Sequence, residues 1–206
     1  MAALAEIAAA LTAEGVAVSD AHLPAGRIRE LIGCCGQRRR REEFRPACVG
    51  AQAHRRRLAE VRGDLICWLT PPLFPAERAL LEDLEKLRVG LNRRLFLGLF
   101  DLELHYAWYP PGAGYARHVD QLHGRDRRAI SFVIYLNEHW PRDAGGELRF
   151  FDGTHQRDIA PLAGRLVCFL TNGREHSVLA ARRDRLSITG WFGRRDVAGV
   201  PTGPLA

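Results

Sequence analysis

The sequence predicts an α+β fold with a mainly β core, in which helices come first and strands follow. Apolar residues recur at helical intervals up to Leu95, whereas from Gly98 onward the apolar period changes toward two. The strand candidates after Gly98 are short and evenly spaced, which is typical of a double-sheet jelly roll. These observations favour a jelly roll with a sheet that is braced by N-terminal helices.

Three helices are predicted before the strands begin. Residues 3–13 have helical apolar spacing and Gly15 ends that pattern, while Pro24 opens a second helix that runs to about Cys35. A third helix starts at Pro75, and leucines recur on it at helical intervals. These are Leu80, Leu81, Leu84, Leu87, Leu91 and Leu95. We expect this long helix to pack against a sheet.

Six strands are predicted in the second half of the chain, each separated from the next by polar or turn-forming residues. Glycine-containing turn signals at 110–112, 144–146 and 171–173 divide the apolar runs. The predicted strands are 98–109, 129–137, 147–151, 165–170, 175–180 and 185–193.

Length and composition indicate one globular domain. The chain has 206 residues, of which 47% are hydrophobic and 26% are charged. We expect a single domain over 1–206, with a helical part at 1–97 and a β core at 98–193. No apolar run approaches the roughly 20 residues that a membrane helix needs. Residues 1–11 carry an acid and no basic lead-in, which favours an amphipathic helix over a secretory signal and predicts a cytoplasmic protein.

The five cysteines show no metal-binding or disulfide spacing. Adjacent Cys34 and Cys35 could form a redox or metal-binding device, but an odd number of cysteines without a Cys-x-x-Cys pair favours reduced thiols. We therefore expect no disulfides.

The formal net charge of +6 invites a nucleic-acid interpretation. Much of the excess lies in two arginine runs, at 38–41 and 55–57. Such runs are usually solvated surfaces, and the functional alternative is that they steer an acidic protein surface toward the site. Few aromatic residues interleave them, which argues against a stacking platform for single strands. Nucleic acid is therefore not the expected partner.

The segment around His118 predicts a metal site. His118 and Asp120 are two residues apart, so in extended backbone both side chains point to the same side. His176, at the start of an apolar run, supplies a third ligand, with His105 or His123 as the alternative. Two imidazoles and one carboxylate suit a non-haem Fe(II) that keeps positions open for a bidentate cosubstrate and dioxygen.

Arg185 opens a strand on its inward face. Strand parity places it on the same side as Ser187, Thr189 and Trp191. A buried arginine is costly unless a carboxylate meets it, and a diacid cosubstrate would supply that carboxylate.

A wider pattern joins these residues, because Arg185 lies nine positions (185 − 176) after His176. Four segments belong to it: 62–68 (RGDLICW), 109–120 (YPPGAGYARHVD), 135–137 (YLN) and 145–149 (GGELR). From about Val61 to Phe192 the chain resembles the iron- and 2-oxoglutarate-dependent dioxygenases, and within them the prolyl 4-hydroxylases of the oxygen-sensing and bacterial types. The resemblance implies a double-stranded β-helix, with the metal at its open end and N-terminal helices against the major sheet.

The resemblance also implies a cosubstrate pocket. Arg185 would pair with the distal carboxylate of 2-oxoglutarate, Tyr135 would share that carboxylate, and Tyr109 would lie over the cosubstrate near the metal. Without the resemblance, both tyrosines could equally be core aromatics. The smaller wall positions are Leu148, Val178 and Thr189.

The positions that the resemblance implies for the substrate are Tyr115, Trp191, Asp64, Ile66 and Arg128. Arg128 is expected to pair with Asp64, after a mobile loop at about 42–62. The alternatives are that Trp191 is a buried strand aromatic and that Asp64 caps a turn.

The function implied is hydroxylation of a prolyl residue, at its 4-position, in a protein substrate such as a transcription or translation factor. Fe(II), 2-oxoglutarate and O2 would be required, with ascorbate as an additional reductant and oxygen sensing as a biological role. Hydroxylation of another residue or of a free amino acid is the alternative. A nucleic-acid dealkylase of the AlkB type is disfavoured by Ser187 and Trp191. A non-catalytic iron-binding jelly roll is disfavoured by the intact ligand set. The sequence does not indicate an oligomeric state.

Overall fold

Three helices form the N-terminal half of the protein. The computed structural model describes residues 2–20, 22–48, 58, 60–120 and 127–195. The helices are α1 (Ala2–Glu14), α2 (Ala25–Arg40) and α3 (Pro75–Leu95). All three were predicted, but α2 extends five residues past the expected end at Cys35. Pro24 caps α2 and is not its first helical residue.

All six predicted strands are present, and the described residues contain five more. The predicted ones are β4 (Leu99–Tyr109), β6 (Arg128–Tyr135), β7 (Leu148–Asp152), β9 (Leu166–Leu170), β10 (His176–Val178) and β11 (Arg185–Arg194). The additional ones are β1 (Val16–Ser19), β2 (Arg45–Pro46), β3 (Leu65–Trp68), β5 (Tyr115–His118) and β8 (His155–Ile159). All five are short. β5 and β8 are also polar, so their pairing partners rather than an apolar pattern define them.

The strands form two antiparallel sheets, which confirms the predicted jelly roll with a mainly β core. The major sheet has the order β1-β9-β6-β11-β4-β3-β2, and the minor sheet has the order β5-β10-β7-β8. Of the mobile loop predicted at about 42–62, residues 49–57 and 59 lie outside the described residues, as do the 55–57 arginine run and His123. The described part of that loop contains β2.

The helices pack against one face of the major sheet, as predicted. Alternate residues of β6 and β11 divide between two environments, because successive side chains of a strand point to opposite faces. Ile130, Phe132 and Ile188 belong to the core shared with the helices. Val133 and Tyr135 face the minor sheet instead, where they pack with Phe150 and its neighbours. Among the described residues, no helix is long and apolar enough to cross a membrane.

A buried ion-pair network explains why α2 continues into the arginine run. Arg38 donates from Nε and Nη2 to the two carboxylate oxygens of Glu77, both at 2.7 Å, and from Nη1 to Glu43 at 2.6 Å. Glu77 is completely buried at the start of α3 and also accepts the backbone N–H of Phe74 at 3.0 Å. The prediction that this arginine run is a solvated surface is therefore partly wrong. Arg38 joins α2 to α3, whereas Arg39, Arg40 and Arg41 are exposed.

Removing this arginine should destabilise the fold strongly. We expect Arg38→Ala to lower the free energy of unfolding by about 3–5 kcal/mol, since Glu77 would keep a buried charge without a partner. The matched control is Arg40→Ala on the exposed side of α2, with an effect within about 0.5 kcal/mol. Urea unfolding followed by circular dichroism measures both, and similar losses in the two variants would contradict the role assigned to Arg38.

Candidate active site

Pairing of two short strands assembles the three predicted metal ligands. In the minor sheet, His176 of β10 lies directly opposite His118 of β5, and their ring centroids are 4.2 Å apart. Asp120 follows β5. Its Oδ1 lies 3.6 Å from Nε2 of His118, and its Oδ2 lies 3.6 Å from Nε2 of His176. One ligand atom from each residue fits within 4.8 Å of the others. The structure thus brings the predicted His-Asp-His cluster together.

Neighbouring groups fix the orientation of these side chains. Nδ1 of His118 lies 2.8 Å from the carbonyl oxygen of Ala116, and Nδ1 of His176 lies 3.1 Å from that of Arg174. With Nδ1 donating its proton there, the lone pair of each ring is on Nε2, which faces Asp120. Asp120 itself accepts a 2.6 Å hydrogen bond from the hydroxyl of Ser131.

The electrostatics suit a cation at this point. Burial lowers the pKa of His176, which keeps the imidazole neutral and able to donate its lone pair. Burial alone would raise the pKa of Asp120, but His176, His118 and the Ser131 hydrogen bond outweigh it and hold that pKa well below its ordinary value. One carboxylate and two imidazoles form a donor set that fits Fe(II).

Arg185 lies buried beside two tyrosines, with only 2% of its surface exposed. Its guanidinium carbon is 5.0 Å from the ring centre of Tyr109 and 5.1 Å from that of Tyr135, and its Nε donates to the carbonyl of Gly146 at 2.7 Å. Gly146 has a φ of +78° and touches the arginine side chain, so both its backbone and the limited space favour glycine there.

Two polar groups at this end of the cavity lack the partner they need. Among the described residues, no carboxylate forms an ion pair with Arg185, and the buried hydroxyl of Tyr135 has no hydrogen-bond partner. Burial raises the pKa of Tyr135, so the hydroxyl keeps its proton and acts as a donor. The Arg185 guanidinium and the Tyr135 hydroxyl can both donate hydrogen bonds, and together they fit the distal carboxylate of a diacid such as 2-oxoglutarate.

The cavity between the metal cluster and Arg185 is lined by most of the predicted residues. Those that line it are His118, Asp120, His176, Arg185, Tyr109, Leu148, Val178, Thr189, Tyr115, Trp191 and Asp64. Three predicted residues are not in this lining but contact residues that are: Tyr135 beside Arg185, Ile66 packed with Tyr109, and Arg128 stacked on Trp191. The inward face predicted for β11 is confirmed.

The predicted pairing of Arg128 with Asp64 is wrong. Arg128 pairs with Glu103 at 2.7 Å, and its guanidinium lies 3.6 Å from the ring centre of Trp191. Asp64 is instead held by Arg62 through two hydrogen bonds of 2.7 and 3.0 Å. The reason is topological, because β6 and β3 are three strand spacings apart in the major sheet, about 14 Å.

Several cavity residues were not predicted. They are Arg62, His105, Ala107, Ser131, Val133 and Phe169. Ser131 and Val133 share strand parity with Tyr135, and His105 and Ala107 share it with Tyr109, so parity alone could have found four of them. His105, considered in the sequence as a possible third ligand, is not part of the metal cluster found among the described residues.

Metal affinity should fall in a graded way when this cluster is altered. We expect Ser131→Ala to weaken binding of Co2+ or Mn2+ by about 10–100-fold, because Asp120 loses the hydrogen bond that orients it. His176→Ala should weaken it further, since a ligand itself is lost. Calorimetric titration of the purified protein measures both.

Ser131→Thr, which keeps the hydroxyl, is the control and should stay close to wild type. Wild-type affinity in His176→Ala would mean that a different residue completes the cluster.

Comparisons with known proteins agree with this geometry. The family model of the 2OG-Fe(II) oxygenase superfamily matches residues 104–193. A solved prolyl-4-hydroxylase from Pseudomonas putida is 41% identical with a TM-score of 0.85, and the match covers 94% of this chain and 100% of that one. A prolyl hydroxylase structure from Trichoplax adhaerens, in complex with a hypoxia inducible factor peptide fragment, is 25% identical with a TM-score of 0.83, covering 92% and 88%.

A curated relative extends the comparison to a longer protein. Human Egl nine homolog 1 is 34% identical over 144 residues, which are 65% of this chain and 33% of that protein. This chain therefore spans about a third of the length of that relative. The ligand cluster, the buried arginine and these matches together assign the chain to the 2OG-Fe(II) oxygenase superfamily and, within it, to the prolyl hydroxylases.

Proposed function

We propose that the protein is an Fe(II)- and 2-oxoglutarate-dependent dioxygenase that hydroxylates a prolyl residue, at its 4-position, in a protein substrate. Succinate and CO2 would be the coproducts. The match to the Pseudomonas putida prolyl-4-hydroxylase, which covers 100% of that chain and 94% of this one, supports the reaction. The Trichoplax adhaerens enzyme, solved with a peptide fragment, supports a polypeptide substrate.

The observation that carries this proposal is the buried guanidinium of Arg185. It shares one cavity with His118, Asp120 and His176 and pairs with no carboxylate among the described residues. A protein that only held iron would have no use for a buried cation at that position, since burying an unpaired charge is costly. A diacid cosubstrate gives Arg185 its partner.

Each part of the site has a proposed task. His118, Asp120 and His176 would hold the iron, and Arg185 with the Tyr135 hydroxyl would hold the distal carboxylate of 2-oxoglutarate. The iron and cosubstrate, when bound, supply the activation of dioxygen and the insertion of one oxygen atom into a C–H bond. The smaller wall positions Leu148, Val178 and Thr189, together with the ring of Tyr109, would exclude water and fix the cosubstrate plane.

The substrate side is proposed to lie around Tyr115 and Trp191. The ring of Tyr115 stacks on His118 at 3.5 Å, and Arg62, held by Asp64, lies 4.7 Å above it. Asp64 would therefore act through Arg62. Arg128 would act through Trp191, on which it stacks.

The cellular location, the domain organisation and the biological role are also proposals. All five cysteines are free thiols, which supports a cytoplasmic location. The core shared by the helices and the major sheet supports a single domain. A transcription or translation factor as substrate, a benefit from ascorbate and a role in oxygen sensing follow from the resemblance to the oxygen-sensing enzymes.

The reaction can be tested directly. Purified protein with Fe(II), ascorbate and 2-oxoglutarate should form succinate, and the rate should rise when a desalted cell extract is added. Mass spectrometry of digested extract proteins should then show a gain of one oxygen on proline that depends on 2-oxoglutarate. Oxygen gained on another residue type would move the assignment to that residue, and no succinate in any mixture would reject the enzyme.

Changing Arg185 should separate the cosubstrate site from the metal site. We expect Arg185→Ala to weaken 2-oxoglutarate binding by at least about 30-fold, since losing one partner of a buried charge pair costs about 2 kcal/mol or more. Affinity for Co2+ should stay within about threefold, because the arginine is not a ligand. The control is Arg149→Ala, which removes a partly exposed arginine paired with Asp158 on the minor sheet. Equal losses of metal and 2-oxoglutarate in Arg185→Ala would contradict the assignment.

A further inference from the structure

Three buried nitrogen atoms in the cavity wall have no hydrogen-bond partner in the part of the chain that the structure describes. They are Nδ1 and Nε2 of His105, on β4, and Nε1 of Trp191, on β11. His105 is 1% exposed and Trp191 is 5% exposed. Buried polar atoms in native proteins are nearly always satisfied, so this wall indicates a ligand that the protein alone does not provide.

These atoms lie toward the end of the cavity that is far from Arg185. In the pairing of β4 with β11, Arg185 is opposite Tyr109, whereas His105 is opposite Thr189, four residues further along. Four residues of strand span about 13 Å. His105 is therefore level with Thr189, a proposed wall position for the cosubstrate, and Trp191 lies two residues further along β11.

Aromatic stacking fixes both rings in place. The His105 ring packs against both Trp68 and Trp191, with ring centres 4.9 and 5.4 Å away, and the two tryptophan rings lie 6.5 Å from each other. Arg128 closes the far side of Trp191 at 3.6 Å. A stacked ring can present its edge to a ligand but cannot rotate freely to find a partner elsewhere, so the nitrogen atoms are held ready in the cavity.

The stack also leads out of the cavity. Trp68 is 39% exposed, and it lines a surface groove together with Arg45, Pro46, Ile66 and Thr70. Trp68 thus contacts His105 and also lines an exposed groove, on which the rest of a longer ligand would lie. A groove next to the buried rings suits an extended polypeptide better than a free amino acid.

The charges around the stack determine what it can bind. Burial, with the nearby cations Arg62 and Arg128, lowers the pKa of His105 to about 3, so the ring is neutral. A neutral imidazole has one N–H donor, and the indole of Trp191 has one N–H donor and no acceptor. The two cations already have carboxylate partners, Asp64 for Arg62 and Glu103 for Arg128, whereas the two N–H donors have none among the described residues and call for a hydrogen-bond acceptor.

We propose that His105 and Trp191 donate hydrogen bonds to the backbone carbonyl oxygen of the target residue in the polypeptide substrate. The inference rests on the proposed prolyl hydroxylation and names the part of the substrate that the site recognises. A prolyl residue within a chain has no backbone N–H, so a carbonyl oxygen is the group it offers for hydrogen bonding. A carbonyl oxygen has two lone pairs and can accept from both rings at once.

The test compares two capped tripeptides with a central proline. They are identical except that sulfur, a weaker acceptor, replaces the carbonyl oxygen of the proline in one of them. The protein is loaded with Zn2+ and 2-oxoglutarate so that no turnover occurs, and binding is followed by the nitrogen and N–H resonances of the histidine and tryptophan rings. In wild type the oxygen peptide should shift the Trp191 and His105 signals and bind about tenfold more tightly than the sulfur peptide, the size of one hydrogen bond.

The decisive variant is His105→Phe, which keeps the stacked ring and removes both nitrogen atoms. We expect its preference for oxygen over sulfur to fall to about threefold or less, the share left to Trp191. His155→Phe, which removes an exposed histidine on β8, should keep the wild-type preference. An unchanged preference in His105→Phe, or unmoved ring signals in wild type, would overturn the proposal. The proposed function fails on a separate result, which is the absence of succinate formation by wild-type protein with Fe(II).

Discussion

The site depends on the pairing of β10 with β5, two strands of only three and four residues. This pairing sets His176 opposite His118, and no other contact fixes the distance between the two imidazoles so directly. The carbonyl oxygens that face Nδ1 belong to Ala116 within β5 and to Arg174 just before β10, so the local backbone also sets which ring nitrogen faces Asp120. The backbone thus positions the two histidine ligands. Ser131, from the major sheet, orients the third ligand, Asp120, through its hydrogen bond.

The sequence predicts those parts of the fold that carry a pattern of their own. The three helices and six of the strands were predicted, because their periodicity reports which face is buried. β5 and β8 are short and polar, and they exist because β10 and β7 offer them hydrogen-bonding edges. The course of α2 through Arg38 was missed for a similar reason, since the partner that buries this charge, Glu77, lies on another helix.

For the site, residues on the inward face of long strands could be predicted, whereas contacts between strands could not. Arg185, Thr189 and Trp191 follow from parity along β11 and do line one cavity. The expected pairing of Arg128 with Asp64 failed because it needed the order of four strands in the sheet, and strand order is not written in any local pattern. His105 was considered as a possible metal ligand, but its ring contacts with two tryptophans depend on the register of β3 and β11 against β4.

One strand organises the whole cavity. Along the inward face of β11, Arg185 lies at one end, Thr189 near the middle and Trp191 further on, while Ile188 and Phe192 fill the helix-side core. Because the outward residues are locked in that core, the inward residues keep a fixed spacing of about 7 Å per pair of positions. The proposed groups therefore follow one another along β11 in a fixed order. Arg185, the cation for the cosubstrate, comes first, then Thr189 in the cavity wall, and then Trp191, the donor for the substrate. A shift of β11 by one residue would exchange the two faces and destroy core and site together.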